Sequence, residues 1–188
     1  MRRCWLVVGC FGALALAAVL EAAEIRQFDL RTIESLGRQL YEQLQSGRTP
    51  NALQARAEES ARRAVHLDAR YRFAVLDDPD GSGFLVYAIA TSSNRNDIVV
   101  GKHFRITVSA DGSKVERVDA LSQGDYTIPR AELTTGKRPV AFWWRELVGD
   151  KPVETLVYLT LLHGQPCYVG TPDRSFWKIE DGKITKIH

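Results

Sequence analysis

Leu30, Ile33, Leu36, Leu40 and Leu44 recur at three- and four-residue steps. Such spacing draws one apolar stripe along an amphipathic helix. Asp29 is placed to cap its start and Gly47 to stop it. Thr49-Pro50 then reads as the cap and first position of a second helix. That helix carries Leu53, Ala57, Ala61, Ala64 and Leu67 on one side and the pairs Glu58/Arg62 and Glu59/Arg63 on the other. The pattern predicts helices over 30–46 and 50–67, joined by a tight turn into an antiparallel helical hairpin.

After Asp68 the period changes from 3.6 to 2. Tyr71, Phe73 and Val75 alternate with Arg72 and Ala74, and the turn-forming run from Asp78 to Gly83 follows. Strands are predicted at Phe84–Thr91, over the long β-prone stretch Ile98–Ser109, and at Lys114–Leu121 behind the turn Asp111-Gly112. The stretch Ser122 to Pro139 has no clean period and reads as the longest irregular segment. Further strands are expected at Val140–Val148, Pro152–Leu162, Pro166–Gly170, Phe176–Glu180 and Lys183–His188, with Asp181-Gly182 making the last hairpin. Two helices followed by strands with short links imply an α+β fold. The expected architecture is a helical hairpin on a curved, mainly antiparallel sheet of about seven to nine strands. Leu85-Val86-Tyr87 and Leu156-Val157-Tyr158 each open a similar series of landmarks, which a duplicated β-meander would explain.

The first residues read as an address rather than as part of this fold. Arg2 and Arg3 precede an uncharged run from Cys4 to Leu20, and small residues follow up to Glu24. This is the layout of a secretory signal peptide, with cleavage expected after Ala22 or Ala23. The chain then divides into a leader, 1–23, and one α+β domain, 24–188. Val7-Val8-Gly9-Cys10 has the residue types of a lipoprotein box but too short an apolar run before it. The Arg2-Arg3 pair fits a plain basic start better than a twin-arginine signal. Export predicts a periplasmic or extracellular protein that meets the membrane only if the leader is retained or lipidated. Cleavage leaves Cys167 as the single cysteine, so no intramolecular disulfide is expected.

Composition narrows the function classes. The 188 residues carry 25 Lys and Arg against 23 Asp and Glu, a formal net charge of +2. That balance does not fit a dedicated nucleic-acid binder. The basic positions Arg56, Arg62, Arg63, Arg70 and Arg72 are interleaved with Glu58 and Glu59, as on a solvated helical face. The histidines His66, His103, His163 and His188 are scattered, with no metal-ligand spacing, and no phosphate loop or nucleophile elbow occurs. Neither metal nor cofactor is expected. Asp78, Asp80 and Gly81 match only part of a calcium loop, because Leu76 and Tyr87 stand where acids are required.

Two groups of residues remain as candidates. Cys167 has His163 four residues before it and Asp173 six after it, which is the raw material of a thiol–imidazole nucleophile. Against this, a lone cysteine between Pro166 and Tyr168 reads as a small buried hydrophobe. Phe142-Trp143-Trp144-Arg145 is the stronger candidate for binding. Strand alternation puts Trp143 and Arg145 on one face and Trp144 on the other. A Trp beside an Arg on an exposed face suits an interface anchor or a surface that stacks on a sugar. The favoured expectation is therefore an exported, non-catalytic binding protein of inhibitor or immunity type. Its expected partner is another protein of the cell envelope. The alternatives are a small cysteine hydrolase using Cys167 and His163, and a carbohydrate-binding module using Trp143 and Trp144.

Overall fold

Asp29 starts the first helix as expected. The computed structural model describes residues 24–187 apart from 66–69, 95–96, 123, 125, 130–133, 136–137, 140 and 146–147. The leader, His66 and His188 thus lie outside the described residues. Helix α1 spans Leu30–Ser46, with the Asp29 carboxylate accepting from the Arg31 and Thr32 backbone amides and Gly47 closing it in the left-handed region. Helix α2 spans Ala52–Ala64. Its cap is Asn51 rather than Thr49: Asn51 and Gln54 form a reciprocal capping box, two residues beyond the expected start. Glu58/Arg62 and Glu59/Arg63 pair at 2.7 and 2.6 Å along its exposed side.

Strands β1 (Arg70–Asp77), β2 (Phe84–Thr91), β4 (Phe104–Val108) and β5 (Val115–Ala120) form a four-stranded antiparallel sheet in the order β1-β2-β4-β5. The β-prone stretch 98–109 is thus two strands: β3 (Ile98–Val99) breaks off and pairs with β6 (Thr127–Ile128). β7 (Thr134–Thr135) pairs with β8 (Arg138–Pro139), so the segment 122–139 carries short ladders. β9 (Phe142–Arg145), β10 (Cys167–Gly170), β11 (Phe176–Glu180) and β12 (Lys183–Lys186) form a second four-stranded sheet, in the order β12-β11-β10-β9. The expected single sheet of seven to nine strands is therefore replaced by two sheets of four. Asp181 and Gly182 both have positive φ, +50° and +72°, as a two-residue hairpin turn between β11 and β12 requires.

The main correction is at Pro152–Leu162. It is a helix, α3 (Glu154–His163), not a strand. It links β9 to β10, which pair in parallel, and a parallel pair needs such a crossover. Every residue from Glu154 to Thr160 is buried. A helix apolar on all sides has no 3.6-residue stripe, and its β-branched and aromatic content mimics a buried strand. Leu156-Val157-Tyr158 is thus helical while Leu85-Val86-Tyr87 is in β2, so the echo is not a duplicated β-meander.

The helical hairpin is also absent: α1 and α2 sit on opposite faces of the first sheet. Ala57 and Ala61 of α2 pack against Val75, Val86, Ala88, Ile106 and Val108. Leu36, Leu40 and Leu44 of α1 join Ala74, Leu76, Leu85, Tyr87 and Ile89 on the other face, together with Leu156 and Val157 of α3 and with Val169, Trp177 and Ile179 of the second sheet. One core therefore runs from the first sheet through α1 and α3 to the second. The two helices cross closely at Gly37, where an added Cβ would lie 2.5 Å from Val157 Cβ and 2.8 Å from the Glu154 carbonyl oxygen. Gly37→Ala gains about 1 kcal/mol of helix propensity, but backbone cannot rotate away and overpacking costs about 1–3 kcal/mol or more. We expect a net loss of about 1–2 kcal/mol in urea unfolding; unchanged or raised stability would refute the close crossing.

α1 also closes an edge of each sheet. The Gln43 side chain accepts from the Val75 amide at 2.8 Å and donates to the Val75 carbonyl at 3.0 Å, occupying the edge of β1. Glu34 accepts from the Ile184 amide at 2.8 Å on edge strand β12. Such contacts block edge-to-edge pairing with another chain.

A buried ionic network ties residues 24–28 to α3. The Arg105 guanidinium, 1% exposed, meets Glu154 at 2.7 Å and Asp119 at 2.8 Å. The Tyr87 hydroxyl donates to Glu154 at 2.8 Å. Arg105 also donates to the Arg26 carbonyl, and Arg117 to the Glu24 carbonyl, so residues 24–28 lie as a strap across the network. Both Arg26 and Arg105 stack on the Phe28 ring with their guanidinium carbons 4.7 Å from its centre. Arg26 further pairs with Asp78 at 2.6 Å and Asp80 at 3.0 Å, so those acids serve a hairpin turn and a strap.

Candidate binding face

Alternation along β9 separates the two tryptophans. Trp143 is 61% exposed on the outer face of the second sheet. Trp144 turns inward, half-buried against the core, with its ring 5.9 Å from that of Tyr126. Arg145 is exposed. The register then sets what stands beside them: Tyr168 lies opposite Trp143, and Gly170 lies between Arg145 and Phe176. Trp143 stacks on Tyr168 with ring centres 5.8 Å apart and meets Phe176 edge-on at 5.9 Å.

Gly170 supplies no side chain, so the sheet is hollowed beside this aromatic corner. The hollow has a volume of about 700 Å3, bounded by Trp143, Trp144, Arg145, Arg174 and Phe176 over Gly170 and Pro172. Behind it the loop Thr171–Ser175 is held by Asp173, whose carboxylate accepts from the Thr171 hydroxyl at 2.6 Å and the Ser175 hydroxyl at 2.6 Å. These bonds hold the Asp173 carboxyl below its usual range and fix the turn that presents Arg174. Among the described residues bounding the hollow there is no acid, and the two guanidiniums there carry positive charge.

The sequence points to Trp143, Trp144 and Arg145, all three of which line the hollow, but misses Tyr168, Phe176 and Arg174. Alternation in β10 and β11 could have placed Tyr168 and Phe176 outward. It could not place them next to Trp143, because the parallel β9–β10 pairing depends on α3.

Cys167 and His163 take different places. Cys167 is fully buried, facing Phe142 and Ile179 across its neighbouring strands. His163 is the last residue of α3. Asp173 is committed to its own loop. His103 is buried at 1% exposure, where its Nδ1 accepts from the Ala90 amide and its Nε2 meets the Val99 carbonyl. Among the described residues no three His, Cys, Asp or Glu side chains group closely enough to hold a metal ion. Comparison with profiles of known protein families, with curated proteins and with solved structures finds no match.

Proposed function

We propose that the chain is an exported, non-catalytic binding protein that docks another protein of the cell envelope on the outer face of its second sheet. The observation that carries this reading is the exposure of Trp143 within a corner of aromatic rings, flanked by Arg145 and Arg174. A large indole left in water beside guanidiniums has the composition of an interface anchor: Trp, Tyr and Arg dominate binding hot spots. The hollow over Gly170 offers the concave seat that such anchors surround. Its positive charge suits a partner surface that is acidic around an apolar centre.

The test compares wild type with Trp143→Ala. Because Trp143 is mostly exposed, the substitution should change folding stability by less than about 1 kcal/mol. Loss of a hot-spot residue costs about 2 kcal/mol or more of binding, roughly 30-fold. The partner captured from envelope extract by wild type should therefore be lost by Trp143→Ala, and its affinity, measured with both purified proteins, should fall by that factor. Equal affinity would overturn the reading. A saturable change in Trp fluorescence with a glycan panel would instead assign the face to saccharides.

Export rests on the leader pattern at the start of the sequence. Residues 24–28, which follow the expected cleavage site directly, are seated on the buried network. We expect a secreted product starting at Ala23 or Glu24 by intact mass. A product that keeps Met1, or that starts at a lipidated Cys10, would place the protein on the membrane instead.

A further inference from the structure

A second cavity lies towards the opposite end of α3 from the ionic network. It opens between the C-terminal ends of α1 and α3, the end of β2 and the loop leading to β3, with a volume of about 540 Å3. That size falls among small-molecule sites, at about 300–1,000 Å3. Ile89, Leu159 and Leu162 supply an aliphatic wall, and Arg72 and Asp97 supply opposite charges.

Two features separate this cavity from an incidental crevice. Tyr158 is 1% exposed and lines the cavity, yet its hydroxyl makes no hydrogen bond to a described residue. The ring is packed in the core and the hydroxyl is open to the cavity, where it can donate to and accept from something inside. Burial pushes this phenol up, against an opposing pull from Arg72, so it stays a neutral donor at neutral pH.

The second feature is that Arg72 and Asp97 line one cavity without pairing. Arg72 donates one N–H to the Leu44 carbonyl near the end of α1, and its other donors have no described acceptor. Asp97 accepts from Ser92 at 3.0 Å and Asn94 at 2.9 Å, which fixes the carboxylate and leaves lone pairs over. A ligand with one charge would satisfy one of these residues and desolvate the other. A zwitterion satisfies both.

We propose that this cavity binds a small zwitterion of the α-amino-acid type with an aliphatic side chain. The carboxylate bonds to Arg72 and the Tyr158 hydroxyl, the ammonium to Asp97, and the side chain packs on Ile89, Leu159 and Leu162. The negative end of α3 favours the ammonium as well.

The test is calorimetric titration of the full-length secreted protein with L-leucine, isocaproate and isoamylamine, which share one side chain and carry both charges, the negative one and the positive one. Leucine should bind saturably and at least about tenfold more tightly than either analogue. Tyr158→Phe keeps the ring in the core and should weaken leucine binding about fivefold or more, with melting unchanged or raised. Asp97→Asn should erase the preference for leucine over isocaproate. No saturable leucine binding would overturn the proposal, as would equal binding of isocaproate by wild type or an unchanged affinity in Tyr158→Phe.

Discussion

Replacing Arg105 with alanine is expected to destabilise the protein by about 3–5 kcal/mol, a large part of a typical domain's stability. The cause is what the substitution leaves behind. Glu154 and Asp119 are 1% and 2% exposed, and Arg105 is the cation that both face at 2.7 and 2.8 Å. Burial alone would lower the Arg105 pKa, but the two carboxylates and Tyr87 outweigh it and raise it, so the guanidinium stays charged. Without it, two carboxylates sit in the core with Arg117 and the Arg26 amide on Asp119 and the Tyr87 hydroxyl on Glu154, and no buried cation between them. Urea unfolding should show a lower midpoint with little change in slope. The strap should loosen too, because Arg105 donates to the Arg26 carbonyl and stacks on Phe28. Proteolysis within residues 24–28 should therefore outpace global unfolding. A variant with Arg105→Met, Asp119→Leu, Glu154→Met and Tyr87→Phe should recover much of the loss, since removing a whole buried network is often neutral or stabilising. A loss below about 1 kcal/mol in Arg105→Ala would show that the network carries no such role.

That network shows where sequence reasoning stops. In Phe104-Arg105-Ile106-Thr107-Val108, alternation would put Arg105 in solvent. It fails because the first sheet is covered on both faces, by α2 on one and by α1 with α3 on the other, so β2 is buried at seven of its eight residues. What is local was legible. The Asp29 cap, the α1 stripe, the Gly47 stop and the Asp181-Gly182 hairpin each depend on a few neighbouring residues, and each is where the pattern puts it. What depends on the rest of the chain was not. α3 lacks a stripe because both sheets and α1 surround it. The division of strands between two sheets follows from α3 crossing between β9 and β10. At the candidate face, alternation separated Trp143 from Trp144, but the neighbours Tyr168 and Phe176 came only with the register. The cavity around Tyr158 was invisible for the same reason, since it forms at the end of a helix that had been expected as a strand.

His103 should make stability fall as pH drops from about 6.5 towards 4, by about 3 kcal/mol from this one group. Its ring is 1% exposed. The Ala90 amide donates to Nδ1 at 3.1 Å, so Nδ1 must be the unprotonated nitrogen, and Nε2–H donates to the Val99 carbonyl at 3.0 Å. Protonation would set a proton on Nδ1 against the Ala90 amide and bury a charge. Burial, partly opposed by the Val99 bond, lowers its pKa from 6.5 to about 4. In the unfolded chain the same ring titrates near its ordinary value. Above about 6.5 both states are neutral and the stabilisation is complete. Between about 6.5 and 4 the unfolded chain takes up a proton that the folded one refuses, so stability declines. Carboxylates titrate in part of this range as well, so the reading must be a difference. His103→Asn offers an amide oxygen to the Ala90 N–H and cannot titrate; it should start less stable at neutral pH and lose about 3 kcal/mol less on acidification. The folded wild-type His103 ring signals should also stay unshifted in NMR titration down to about pH 5. Equal pH slopes for the two proteins, or a ring that titrates near 6.5 while folded, would show that His103 is not held neutral by its two backbone bonds.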